Sequence, residues 1–419
     1  MSQPLHPGLI GQDAQKLSDG LHGKIIGQEQ AVRDIVSVFQ ARLAGMFRPG
    51  RPTGNFLFLG PTGTGKTRTV EATAEVLVGS AAAINKVNCG EFQEKHEIAR
   101  LLGPPPGYLG HGGAFGHEKT KPFIVQADLD KYFYVSSNNK RFKLGFVLFD
   151  EIEKANGAFW DLLLGVLDKA IMNLGDNTKL NFENCLIFMT SNLGAREMTG
   201  ILSPNIGFAA ARILVQGSQG KIDDNLVAKI KSTGVEAARR RFTPEFFNRL
   251  DRIVVFEPLS GEGLRDVLDL ELRMLQEELI NSPDGVPFVF SLTDQAKDFL
   301  LKEGTDIRYG ARPLKRAIQK HLMEPLANLI ATGQIYAGCL VMIDHKLEGD
   351  PLIFYKQADN VLIPAEYKIA KVSRVNPNLS YQINSGGAAA FARIFRKLLV
   401  YWVRWQEKKA GTGLERPTP

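Results

Sequence analysis

Cysteine is scarce: three in 419 residues, Cys89, Cys185 and Cys339, far apart and without metal-ligand spacing. That usage suits buried thiols in a reducing compartment and argues against a disulfide framework or a cysteine-built zinc site. Long apolar runs are missing too, since no stretch reaches the ~20 consecutive apolar residues that span a bilayer. The first residues, MSQPLHPGLIGQDAQ, lack a basic start followed by an apolar run, so a targeting segment is not expected and a cytoplasmic location is. Neither sign of charge dominates. Lys and Arg number 51 against 45 Asp and Glu, a net +6 that sits partly in the last thirty residues, so no nucleic-acid footprint is demanded. Internal repeats of roughly 20 to 50 residues are absent. What remains is an ordinary globular composition, long enough for two or three units that each bury a core.

The organisation follows from periodicity. Residues 1–20 are polar and punctuated by Gly and Pro, and the first helical stripe, in EQAVRDIVSVFQARLAG, places Ile35, Val38, Phe39 and Leu43 on one face, with a start near Gln28. Short apolar runs follow: FLFLG from Phe56, INKVN from Ile84, FVLFD from Phe146 and CLIFMTSN from Cys185, separated by helix-length segments. That alternation predicts an α/β fold with a parallel sheet covered by helices on both faces. From about Ser260 amphipathic helices take over, followed by a strand pair near residues 340–343 and 352–355. The expected divisions are an N-terminal extension (1–20), a large α/β domain (21–258), a small, mainly helical domain with a short strand pair (259–357), and a linker with a basic amphipathic helix (358–419).

Gly60, Pro61, Thr62, Gly63, Thr64, Gly65, Lys66 and Thr67 fit the GxxxxGK[ST] pattern, between the strand FLFL and the helical TRTVEATAEVL. The glycines let backbone N–H groups turn inward around phosphates at a helix N-terminus, while Lys66 reaches the β/γ oxygens and Thr67 ligates Mg²⁺. A P-loop that binds ATP with Mg²⁺ is therefore expected. The strand from Phe146 ends in Asp150 and Glu151, suited to holding Mg²⁺ through water and to activating the attacking water, respectively. Asn192 ends the next strand, at the carboxyl edge where α/β sheets bind ligands, and is suited either to orienting that water or to capping the strand.

Seven ordered motifs, LHGKIIGQEQAV, GPTGTGKT, LLGPPPGYLG, VLFDEIEKA, MTSNLGA, FTPEFFNRLD and YGARPLKRAI, together resemble the second ATPase module of Clp chaperones of the ClpA and ClpB type, over about residues 21–357. The resemblance implies an AAA+ P-loop fold, a ring that is usually a hexamer, ATP hydrolysis between neighbouring subunits, and polypeptide threaded through an axial pore. Ile25 and Ile26 match the adenine-pocket segment. Arg249 matches the arginine finger, acting on the neighbour's nucleotide, and Arg312 matches sensor 2. A planar guanidinium aimed at the γ-phosphate stabilises charge that develops during hydrolysis. Gly107, Tyr108, Leu109 and Gly110 match the substrate-gripping pore loop, and residues 173–179 stand where a second pore loop belongs.

The chain also departs from the pattern. His111, Gly112 and Gly113 replace an acidic pair after the first pore loop, and about a dozen extra residues within 121–144, including Tyr132, Phe133 and Tyr134, look like an added hairpin. Ile206, Gly207 and Phe208 resemble a loop with which ClpA-like unfoldases dock on the ClpP peptidase; packing on the chain's own domain is the other reading. A receptor domain, a first ATPase module and a coiled-coil middle domain find no room in these 419 residues, so cooperation through that coiled coil is not expected. Beyond the resemblance, Phe391, Ile394, Phe395, Leu398, Leu399 and Trp402 form an apolar stripe beside Arg393, Arg396, Lys397 and Arg404. That helix packs on its own domain, binds a partner or lies on an anionic membrane. A Clp-type unfoldase or remodelling chaperone is the expected function. The alternatives are a regulatory ATPase dedicated to one partner and, with no appended DNA-binding motif in sight, a nucleic-acid loader.

Overall fold

In a computed structural model of the chain, residues 6, 8–103, 122–202, 224–283, 285–305, 311–346 and 349–358 are described. The expected pore loop at 107–110, the glycine-rich residues 111–113, the candidate docking loop at 206–208 and the C-terminal helix from 388 lie outside them. The chain divides into two units: residues 1–274, 292–329 and 343–354, and residues 275–291, 330–342 and 355–419.

The first unit is organised by a five-stranded sheet of β1 (Gly54–Leu59), β2 (Ile84–Asn88), β5 (Gly145–Asp150), β8 (Cys185–Ser191) and β9 (Arg252–Val255), in the order β2-β5-β8-β1-β9. Every neighbouring pair is parallel. The inner strands are mostly apolar because both faces are covered. Alternate residues separate the two cores. Leu57, Leu59, Val147, Phe149, Ile187 and Met189 point to the side that buries the helix Gly157–Lys169. Phe56, Phe58, Phe146, Leu148, Leu186 and Phe188 point to the other, against α1 (Gln12–His22), α2 (Glu29–Leu43) and α3 (Lys66–Val78). On that face Phe188 stacks on Phe56 at 5.0 Å, with Phe58 at 5.5 Å.

Strand β9 and helix α1 depart from what the sequence alone predicts. Strand β9 is only four residues long, RIVV, with no alternation to mark it. Helix α1 lies where an extension was expected: Ala14, Leu17 and Leu21 are buried in the core, and the boundary expected at residue 20 falls inside the helix. The polar residues between those three apolar ones hid the stripe.

The added hairpin is present as β3 (Phe133–Val135) and β4 (Arg141–Lys143), antiparallel. Its inner face is braced on α1 and α2. The Tyr134 ring meets Phe39 edge-on at 5.0 Å, the Arg42 guanidinium lies 5.3 Å from the Phe142 ring centre, and Asp13 accepts a hydrogen bond of 3.0 Å from the Ser137 amide. Residues 174–178, within the expected second pore loop, form the turn between β6 (Ile171–Asn173) and β7 (Lys179–Asn181).

Strands β10 (Val289–Leu292), β11 (Leu340–Asp344) and β12 (Ile353–Ala358) form a three-stranded sheet in that order rather than the expected pair. The missed strand, β10, follows Pro287 closely, and its four residues VFSL are too few to show a period. Buried Gln276 holds it, donating to Phe288 O at 2.8 Å and accepting from the Phe290 amide at 2.9 Å.

Candidate functional site

Parallel strands in register put their last residues on one edge. Leu59 pairs with Ser191 and Asn88 with Asp150, so Gly60, Asp150, Glu151 and Asn192 all emerge at the carboxyl end of the sheet. There the chain turns sharply into α3. Gly60 passes so close to Phe256 that a Cβ would meet the Phe256 carbonyl oxygen at 2.8 Å, and Gly65, the residue before α3, has φ 97°. Both positions require glycine.

Thr62, Gly63, Thr64, Gly65, Lys66 and Thr67 line a cavity of about 310 Å³ together with Ile25, Ile26, Asp150, Glu151, Asn192 and Arg312. The two isoleucines, with Leu259, Val267 and Leu270, give it an apolar region. The cations and carboxylates give it a polar one. This combination of apolar walls and a few convergent polar groups is the usual character of a small-molecule site.

Lys66 is almost wholly buried and donates to Gly60 O at 2.7 Å, Pro61 O at 2.9 Å and Asn192 Oδ1 at 2.9 Å. Burial pushes its pKa down to about 8; Glu153, Asp150 and Glu151 counter this, while Arg312 adds to it. Burial raises the Asp150 pKa, but hydrogen bonds from Lys86 and Thr190, aided by the charges of Lys86 and Lys66, outweigh it and hold the carboxyl below its ordinary value. Lys86 Nζ sits 2.8 Å from Asp150 Oδ2. Asp150 is thus kept as a carboxylate.

Glu151 occupies the left-handed region at φ 58°, ψ 49°. Its amide donates to Thr190 Oγ1 at 3.0 Å, its carboxylate pairs with Lys154 at 2.5 Å, and Asn192 Nδ2 donates to it at 3.4 Å. Asn192 is therefore a hub, linking Lys66, Thr62 and Glu151, and its amide donates to Glu153 Oε1 at 3.1 Å. Arg312 enters from the start of the helix Arg312–Ile318, and the preceding Ala311 amide donates to Gly63 O at 3.2 Å.

Arg249 is the exception. It does not line the cavity; its Nε lies 3.4 Å from Asp168 and its Nη2 4.0 Å from Glu245.

Some contributors have no role that the sequence alone announces. Gln28 is buried and ties the phosphate loop to the chain after β9, donating to Thr64 O at 3.2 Å and Glu257 O at 2.9 Å while accepting from the Glu257 amide. Its place in GQEQ, within LHGKIIGQEQAV, is the available signal. Glu153 and Lys154 stand within VLFDEIEKA and Lys315 within YGARPLKRAI, while Lys86 meets Asp150 only in space and Glu271, 2.8 Å from Lys315, comes from a helix far away in sequence.

Comparison with known proteins agrees with this geometry. A model of the AAA domain (Cdc48 subfamily) matches residues 51–253, and a model of the C-terminal, D2-small domain of ClpB protein matches residues 259–343. The chaperone protein ClpB 1 of Thermosynechococcus vestitus is 33% identical over 357 residues, 84% of this chain and 36% of that protein. The ATP-dependent Clp protease ATP-binding subunit ClpC of Staphylococcus aureus is 37% identical over 332 residues, 78% of this chain and again 36% of that protein. The chain thus spans about a third of the length of these curated relatives. Two Hsp104 structures are similar: one in a closed state with ATPγS and FITC casein, at 27% identity and TM-score 0.64, matched over 82% of this chain and 52% of that one. The other, an S. cerevisiae casein complex in an extended conformation, has 26% identity and TM-score 0.66, over 83% and 53%. With the two family models running through it in sequence, one over the sheet and the phosphate loop and one over the segment that carries Arg312, the chain belongs to the Clp-type AAA+ ATPases.

Proposed function

We propose that this chain hydrolyses ATP within a ring of like subunits, usually six in this family, and uses the energy to thread polypeptide through an axial pore. The observation that carries the reading is the convergence of Lys66, Asp150, Glu151, Asn192 and Arg312 on one cavity while Arg249 stays outside it on its own chain. An arginine finger so placed serves a neighbour. The Hsp104 structures solved with casein and the ClpB and ClpC relatives support polypeptide as the substrate.

The residues suit the chemistry. The loop amides and Lys66 hold the β/γ phosphates, and Ile25 and Ile26 face the base. Thr67 and Asp150 fit Mg²⁺, because a hydroxyl and one carboxylate kept ionised are hard oxygen donors of the sort that leave its remaining positions to water and phosphate. When bound there, Mg²⁺ offsets charge on the phosphate oxygens. Glu151 accepts a proton from a water oriented by Asn192; the water oxygen bonds to the γ-phosphorus as the bridging P–O bond breaks, giving ADP and phosphate. Arg312 in cis and a neighbour's Arg249 stabilise the charge that develops on the γ oxygens.

Tyr108, between Gly107, Leu109 and Gly110, grips the substrate on this reading. Because S. aureus ClpC is described as a Clp protease subunit, a ClpP-like peptidase is the partner to test at Ile206, Gly207 and Phe208. Purifying Glu151→Gln, which binds ATP without turning it over, together with what it traps is the deciding experiment. Trapped polypeptide supports threading; one dedicated protein, or DNA, favours the alternatives.

A further inference from the structure

Asn55 is an amide in the interior of an apolar strand. It is wholly buried in β1 between Gly54 and Phe56, and its Oδ1 has no hydrogen-bond partner among the described residues. An unsatisfied buried acceptor costs about 1–3 kcal/mol, so the side chain is not there for stability alone. Its Nδ2 donates to two carbonyls, Leu167 O and Arg249 O, each at 3.1 Å. The backbone of the same residue is locked reciprocally to Asp251, whose carboxylate accepts from the Asn55 amide at 2.9 Å and whose amide donates to Asn55 O at 2.9 Å.

The neighbouring carboxylate breaks another local rule. Asp168 is the second-last residue of the helix Gly157–Lys169, at the end where the helix dipole disfavours negative charge. Its compensation is Arg249, whose buried Nε lies 3.4 Å away as an ion pair without hydrogen-bond geometry. Arg249 is therefore held twice: its main chain by Asn55, with Arg51 donating to the same carbonyl at 3.4 Å, and its guanidinium by Asp168. Local rules broken together around one arginine are expected where a functional group must be held in place.

We infer that Asn55 and Asp168 form a clamp that positions Arg249 for the neighbouring subunit's nucleotide. The inference rests on Arg249 being the finger of a ring. Asn55 stands in the strand that runs directly into Gly60, so one element carries the chain's own phosphate loop at its end and the clamp near its start. Asn55 and Asp168 are positioning residues: they touch Arg249 and its backbone, not substrate.

The test is ATP turnover by Asp168→Asn and Asp168→Glu rings, with assembly and ADP binding measured alongside. Misplacing a catalytic group by about 1 Å costs on the order of 100-fold, so Asp168→Asn should lower kcat by ~10-fold or more. KM for ATP should stay within about twofold, since the finger acts in the transition state. Asp168→Glu, which keeps the charge, should recover most of the loss. A structural role sensitive to volume gives the opposite order, with Asn tolerated and Glu not, and overturns the inference. Mixing separates this clamp from the ring itself. Asp168→Asn subunits retain Glu151, and Glu151→Gln subunits retain the finger, so mixed rings should hydrolyse ATP well above the sum of the two alone. If Arg249→Ala complements Glu151→Gln in this way and Asp168→Asn does not, the clamp is wrong. If neither complements, the ring finger fails and the clamp falls with it.

Discussion

Protonated Lys66 penalises the folded chain, and the penalty is measurable. Its pKa falls from 10.5 to about 8 on folding, chiefly through burial. Because the folded value is the lower one, the unfolded chain binds more protons between pH 8 and 10.5, and stability must rise with pH across that window. Below pH 8 the penalty is fully present. A difference of 2.5 (10.5 minus 8) corresponds to about 3 kcal/mol, relieved at no more than ~1.4 kcal/mol per pH unit. Lys66→Met removes the titrating group and, at every pH alike, its hydrogen bonds to Gly60, Pro61 and Asn192. Urea unfolding of both proteins from pH 7 to 10.5, followed by tryptophan fluorescence, isolates the slope as the difference between the two curves. The wild-type chain should gain about 3 kcal/mol on the variant over the window. Adding ADP, whose phosphates favour the ammonium, should flatten the difference. A wild-type-minus-variant difference that does not change with pH refutes the reasoning.

Three further outcomes are expected. Glu151→Gln should lower ATP turnover by at least ~100-fold in a phosphate-release assay while leaving ATP binding intact, as removal of a general base does. Phe188→Ala should cost about 3–5 kcal/mol in denaturant unfolding, because it empties a site packed by Phe56 and Phe58. Tyr108→Ala should reduce the amount of a fluorescent protein unfolded per ATP hydrolysed; an unchanged ratio would remove Tyr108 from the grip.

Much of the site was legible because its chemistry is local in sequence. The phosphate loop needs glycines at fixed offsets between a strand and a helix, and GPTGTGKT states all of that in eight letters. The strand ends Asp150 and Asn192 were legible because apolar runs precede them, and parallel register does the rest. What stayed hidden depends on distance. Nothing in GNFLFL announces that Asn55 reaches residues 167 and 249, and nothing in INKVN announces that Lys86 meets Asp150. Helix α1 and strands β9 and β10 were missed for a different reason. They are short or polar, and what makes them structured is the sheet and helices they pack on, not a period of their own.

Glu151 adopts a backbone conformation that side-chain-bearing residues avoid, at a cost of about 1–2 kcal/mol. A glycine at this position would relieve that cost and leave the surrounding hydrogen bonds of the main chain in place. It would also delete the carboxylate. On the role proposed for Glu151, selection for thermal resistance alone, by random mutagenesis or by recombination with more robust sequences, would therefore drift toward inert enzymes at this residue. Any stabilisation campaign on this protein has to screen for turnover at each round, because at position 151 durability and work are opposed within a single codon.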